Sequence, residues 1–143
     1  MFERFDTPRP IGSGLMIQPT GMAVLNELGL LDEATRCGAR IDRLYGMAGQ
    51  RAVLDVHYAA LGQNDAFGIG IHRASLFSIL YDAVEQAGIP VHTDHAISGS
   101  KLRGSKRQLT FADGEESEPF DLIVDALGTR TPLTPPTGKS LAY

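Results

Sequence analysis

The stretch GIGIHRASLFSIL, residues 68 to 80, sets the pair His72 and Arg73 between a glycine-spaced apolar run and a segment with apolar residues at helical intervals. A helix N-terminus carries partial positive charge and free N–H groups, so a cation there adds nothing to the helix but is well placed to meet an anion. Arg73 therefore either faces a phosphate or carboxylate or pairs on the surface with Asp65 or Glu85, and His72 helps to shape the same place. A second place of interest is Gly128, which follows the apolar run FDLIVDA. Buried parallel strands deliver ligand sites beyond their carboxyl ends. A glycine there either admits a ligand or a second backbone, or simply makes the turn.

The remaining reactive side chains give less. His92 and His95, in HTDH, lack further His or Cys partners at ligand spacing, so no metal site is read there. His57 alternates with Val56 along a strand, and Glu115 and Glu116 fall in a polar turn where they are solvated. Cys37 is the single cysteine and cannot form an internal disulfide; it reads as a small buried apolar side chain near a helix end. No Ser-His-Asp or Cys-His arrangement has support in the spacing.

Composition limits the function classes. The 143 residues are 43% hydrophobic and 21% charged, ordinary for a soluble globular chain with one domain as the default. A formal charge of −4 argues against nucleic acid as a partner, and Lys101, Arg103, Lys106 and Arg107 read as a solvated hairpin. No apolar stretch approaches the roughly 18 residues of a membrane span. The start, MFERFDTPRP, lacks the basic opening and apolar middle of a signal peptide, so a cytoplasmic protein is expected.

The elements that must position these residues follow from periodicity. MFERFD is a stub before the turn-rich TPRPIGSG. The next segment is helical, with Met22, Leu25, Val24 and Leu28 at helical spacing and Gly29 as its stop; a short helical piece from Leu31 to Cys37 ends at Gly38. Residues 41–60 alternate with period two around Gly49-Gln50, which predicts an antiparallel strand pair. Leu76, Ile79, Leu80, Ala83, Val84 and Ala87 give the most regular helical signature, closed by Gly88. IPVHT then reads as a strand, 97–103 and 108–113 as arms of a β-meander, and 120–126 as a parallel strand buried on both faces.

Taken in order, ERFDTPRPIGSGLMIQPTGMAVLNELGL, GIGIHRASLFSIL and FADGEESEPFDLIVDALGTRTPL resemble the FAD-dependent monooxygenases of the p-hydroxybenzoate hydroxylase type. The resemblance implies an α/β fold: a partial FAD-binding, Rossmann-like domain with parallel strands, a β-meander and a small antiparallel strand pair. Residues 1–143 would form that partial domain without its first β-α unit, whose G-x-G-x-x-G turn is expected in the roughly 30 residues upstream. Residues 41–60 would join the substrate-side sheet. In the family an acid ending the second strand holds the ribose hydroxyls, which matches Glu3, with Arg4 following. The family's Arg near the FAD phosphates matches Arg73. Residues 11–18 match a loop beside flavin and substrate, making Gly14, Leu15 and Met16 pocket candidates.

The stretch DALG matches the family's Asp-Gly motif, with Gly128 as its glycine and Leu127 where the family carries aspartate, which brings it nearer the D-A-T-G form of related reductases and halogenases. The resemblance thus implies a parent enzyme that uses FAD, NAD(P)H and oxygen to hydroxylate a small aromatic substrate. The alternatives are a related flavoprotein reductase or halogenase, or a truncated chain without independent activity. Exposed strand edges would favour homo-oligomers.

Overall fold

Alternation in the glycine-spaced run is that of a central strand. In a computed structural model, which describes residues 1–10, 12–62, 66–128 and 130–133, β5 (Gly68–His72) lies between β1 (Gly14–Ile17) and β2 (Gly38–Ile41), antiparallel to both. Ile69 and Ile71 point into the core, with Ile69 fully buried. Gly68 is required by close approach, since a Cβ there would lie 3.1 Å from the Ile17 carbonyl oxygen and 3.2 Å from the Tyr58 ring. Around β5 pack Ile17, Met22, Leu25, Ala34 and Ile79. These elements belong to a compact unit of residues Arg9–Ile89; Met1–Pro8 and Pro90–Tyr143 form a second.

Helix ends in the first unit follow their glycines. α1 (Pro19–Glu27) starts with Pro at its first turn and closes with the Gly29 N–H on the Asn26 carbonyl (2.9 Å) and the Leu30 N–H on the Leu25 carbonyl (2.8 Å). α3 (Arg73–Gln86) closes in the same way, Gly88 on Glu85 and Ile89 on Val84. Both are Schellman closures, which need a left-handed residue and so favour glycine. The apolar positions are not all buried as the spacing predicts. α1 buries Met22 and Leu25, whereas Val24 and Leu28 are 59% and 58% exposed. Cys37, the C-cap of α2 (Leu31–Arg36), is also exposed, against expectation, although Ala34 one turn earlier is buried.

The strand pair over 41–60 forms as expected. β3 (Arg43–Ala48) and β4 (Arg51–His57) pair antiparallel across the Gly49-Gln50 turn with a bulge at Gly46 and Met47, and β4 is exposed along its whole length. Arg43 grips Asp55 with two hydrogen bonds of 2.6 and 2.8 Å, and that side-chain hydrogen bonding holds the Asp55 carboxyl below the usual carboxylate range.

In the second unit, β6 (Ile97–Arg103) and β7 (Lys106–Phe111) form a hairpin that buries Leu109 and Phe111. The returning chain touches β7 antiparallel at Glu116 and Phe120, giving the meander an irregular third arm. The N-terminal residues are more than a stub. Phe2 makes a parallel bridge to His92, with the His92 N–H on Met1 O, the Glu3 N–H on His92 O and the His95 N–H on Glu3 O, each 2.9 Å. The Phe2 ring stacks on His92 and meets Phe111, both at 5.1 Å.

Two expectations need correction. IPVHT contributes only the bridge at His92, and 120–126 pairs only at Phe120, on Arg107. Leu122 and Val124 are 79% and 82% exposed instead of buried on both faces. A strand exists only where a neighbour lies about 4.8 Å away to share its ladder. Among the described residues no strand flanks 121–126, and the named strands all pair antiparallel. The described architecture is thus mixed α/β with antiparallel sheets, and no helix in it is long and apolar enough to cross a membrane.

Two measurements check these assignments. Ile69→Ala removes a fully buried side chain and lowers unfolding free energy by about 2–5 kcal/mol, read from the urea midpoint; a loss under half a kcal/mol, ~0.5, would contradict its central place. Because the folded Asp55 pKa is depressed, its stabilisation is present above the unfolded pKa and lost as pH falls through the folded one. Carboxyl NMR of Asp55 should therefore show a titration midpoint below that of an ordinary aspartate, returning upward in Arg43→Gln.

Candidate functional site

Arg73 is the first residue of α3, entered from the extended His72. Its backbone N–H donates to the Ser13 carbonyl (3.1 Å), which ties the helix start to the loop before β1. The guanidinium lies along that loop at Gly12, where a Cβ would come within 3.2 Å of both Cζ and Nε. Gly12 has φ +114°, a conformation that L side chains rarely adopt, which is what favours glycine there. Arg73 is exposed, and among the described residues its side chain has no ion pair or hydrogen bond, Glu85 included. Asp65, the other suggested partner, lies outside the described residues.

Gly14, Leu15 and Met16 come together in one open groove of about 380 Å³ with Gly70, Ile71 and His72. They do so as strand β1, in register with β5, rather than as the loop expected; Ile11 lies outside the described residues. The Tyr58 hydroxyl, at the start of the single-turn 3-10 helix Tyr58–Leu61, donates to Met16 Sδ at 3.7 Å.

In the second unit, Glu3 and Arg4 line a cavity of about 520 Å³ together with Phe2, His95, Leu127 and Arg130. Glu3 is half-buried, and its Oε1 accepts the Phe5 N–H at 3.1 Å. The Arg4 guanidinium sits 4.5 Å over the Phe5 ring. Gly128 follows the cavity-lining Leu127 with φ +86° and open space where a Cβ would be. Its turn is tied by Asp125, which accepts the Thr131 hydroxyl (2.7 Å) and the Leu127 N–H (2.9 Å). Those two bonds, the hydroxyl's first, hold the Asp125 carboxyl below its ordinary range.

Arg130 and Asp125 of this region escaped the sequence reading, and His95 was weighed there only as a metal ligand. Asp125 had a legible signal, since an aspartate two residues before a turn amide is an Asx-turn former. His95 and Arg130 had none, because their place depends on chain pairing. The basic hairpin is a paired surface and not only a solvated one. Lys101 and Arg103 reach Glu116, Lys106 reaches Asp121 at 3.0 Å, and Arg107 donates to Ser100 Oγ at 2.7 Å. Glu116 is thus ion-paired, where solvation alone was expected, and the Lys101 hydrogen bond draws its carboxyl pKa downward.

No protein-family profile matches the chain, and no curated protein matches it in sequence. Solved structures do. Tetracycline destructase Tet(51) superposes with a TM-score of 0.63 at 20% identity, covering 90% of this chain and 31% of that one. The tetrameric form of 2-methyl-3-hydroxypyridine-5-carboxylic acid oxygenase gives 0.68 at 19%, covering 82% and 30%. HpxO of Klebsiella pneumoniae, in complex with FAD and uric acid, gives 0.67 at 17%, covering 92% and 33%. The chain spans about a third of the length of these structures. Over that third it has the fold of FAD-dependent monooxygenases, the class that its sequence resembles.

Proposed function

We propose that this chain is part of the FAD-binding domain of a cytoplasmic monooxygenase that uses NAD(P)H and oxygen to hydroxylate a small aromatic substrate. The observation that carries the reading is the cavity shared by Glu3, Arg4 and Leu127, the residue before Gly128. Its volume, about 520 Å³, suits a nucleoside. An ionised carboxylate only accepts hydrogen bonds, and with one oxygen steadied by the Phe5 N–H, Glu3 keeps lone pairs for the two hydroxyls of a ribose.

In this reading Arg4 closes over the adenosine, and Gly128 lets the cofactor approach the backbone. Arg73, a cation without a protein partner among the described residues, turns toward the diphosphate. Gly14, Leu15 and Met16 line the flavin and substrate side. FAD supplies the redox chemistry when bound. The chain's own residues bind it, orient it and keep water away.

The parallel Phe2–His92 bridge supports a Rossmann-like parallel arrangement, and the exposure of β4 supports 41–60 as part of a substrate-side sheet. The same exposed edges support self-association. Leu127 in the cavity wall favours a second reading, a flavoprotein reductase or halogenase of the D-A-x-G form. Oxygen consumption and peroxide release with NADPH across aromatic substrates separate the two.

Titration of the 143-residue chain with FAD, followed by flavin fluorescence, should show saturable binding. Glu3→Gln should weaken FAD and adenosine alike by about tenfold, the size expected for a hydrogen bond to a charged group. Arg73→Met should weaken FAD and ADP while leaving adenosine unchanged. Absence of any FAD or ADP binding would refute the reading.

A further inference from the structure

The cavity that contains Glu3 holds a second group to which the resemblance gives no role. His95 lines it, half-buried, and its ring is fixed from three sides. It stands edge-on to Phe111 at 5.0 Å and 87°, tilts against Phe2 at 5.7 Å, and its Nδ1 lies 2.5 Å from the Thr93 carbonyl oxygen. The backbone holds it as firmly: the His95 N–H donates to Glu3 O, and Asp94 before it takes a left-handed turn at φ +58° with its own N–H on Phe5 O.

A nitrogen at that distance from a carbonyl must carry the proton, since two lone pairs would repel. In the neutral ring Nε2 is then the acceptor. Among the described residues nothing donates to it. The cavity is thus lined by two residues able to accept a hydrogen bond, Glu3 through its carboxylate and His95 through Nε2, and by two arginines, Arg4 and Arg130. A ligand that satisfies this set offers a hydroxyl pair to Glu3, acceptor oxygens or ring nitrogens to the arginines, and one further N–H donor to His95. Adenosine nucleotides have that donor as the exocyclic amine. In inosine nucleotides a carbonyl oxygen replaces it, and two lone pairs would face each other.

We propose that His95 is a specificity-determining residue of this cavity, with Nε2 accepting a hydrogen bond from the exocyclic amine of adenine and so selecting adenine over hypoxanthine. The inference rests on the nucleotide reading of the cavity and adds the basis of base choice. A site built to hydrogen-bond one substrate group discriminates against the analogue without it, because its own group is left unpaired.

The test is calorimetric titration of the whole 143-residue chain with ADP and with IDP, together with nitrogen NMR of the His95 ring. The wild-type chain should bind ADP about tenfold or more tightly than IDP, the effect of one hydrogen bond made or left unmade. Saturating ADP should shift the Nε2 resonance and leave Nδ1 protonated. His95→Phe, which keeps an aromatic ring against Phe2 and Phe111, should lose the preference mainly by weakening ADP. Equal affinities in the wild-type chain, a preference that survives in His95→Phe, or an Nε2 resonance unmoved by ADP would each overturn the role of His95 and leave the nucleotide reading standing. Failure of the wild-type chain to bind either ADP or FAD would overturn both. Should His95→Phe not fold, the affinity ratio and the Nε2 shift of the wild-type chain decide the matter.

Discussion

The cavity depends on one short piece of parallel backbone pairing, that of Met1–Glu3 against His92–His95. Three hydrogen bonds of 2.9 Å hold the two segments, and the Phe2 ring fills the space between His92, His95, Phe111 and Phe120. That pairing fixes where the Glu3 carboxylate and the His95 imidazole stand, because the same ladder that carries Glu3 N–H to His92 O returns His95 N–H to Glu3 O. Without it Glu3 is one exposed acid near a chain end. With it, Glu3 is half-buried and shares a wall with Arg4, His95 and Leu127.

A different constraint organises the Arg9–Ile89 unit. β5 is central to its sheet, and a fully buried Ile69 anchors the strand from which α3 springs. Helix and loop are joined at the junction by the Arg73 N–H to the Ser13 carbonyl, and the guanidinium lies against Gly12. Burial of apolar side chains, at about 25 cal/mol per Å², thus supports the placement of a cation that contributes nothing to helix stability. An Arg with no protein partner among the described residues is tolerable at a helix N-terminus because it is exposed and hydrated.

Apolar surface elsewhere stays open. Val53, Leu54 and Val56 on β4, and Leu122 and Val124 beyond the meander, are exposed although their sequence has the texture of core strands. Continuous exposed apolar segments of this kind are uncommon on isolated soluble domains and mark surfaces built to be covered. The chain spans about a third of the length of the solved structures whose fold it shares.

The sequence by itself determined what depends on neighbours within a turn or two. The apolar period of α3, the Schellman stops at Gly29 and Gly88 and the two-residue turn at Gly49-Gln50 are local matters of backbone freedom and side-chain spacing, and each formed where its residues predicted, while the hairpin through Gly104 formed with its second arm at Lys106–Phe111 and not at 108–113. Arg73 was legible in the same way, since a helix start and a cation are adjacent in the chain. Tertiary structure decided which apolar faces found a partner, and so Val24, Leu28, Cys37 and 121–126 departed from expectation while Met22 and Leu25 did not. It also decided that His95 meets Glu3. The reason is physical: burial and strand pairing are properties of two segments at once, and periodicity in one segment carries no record of whether the other is there.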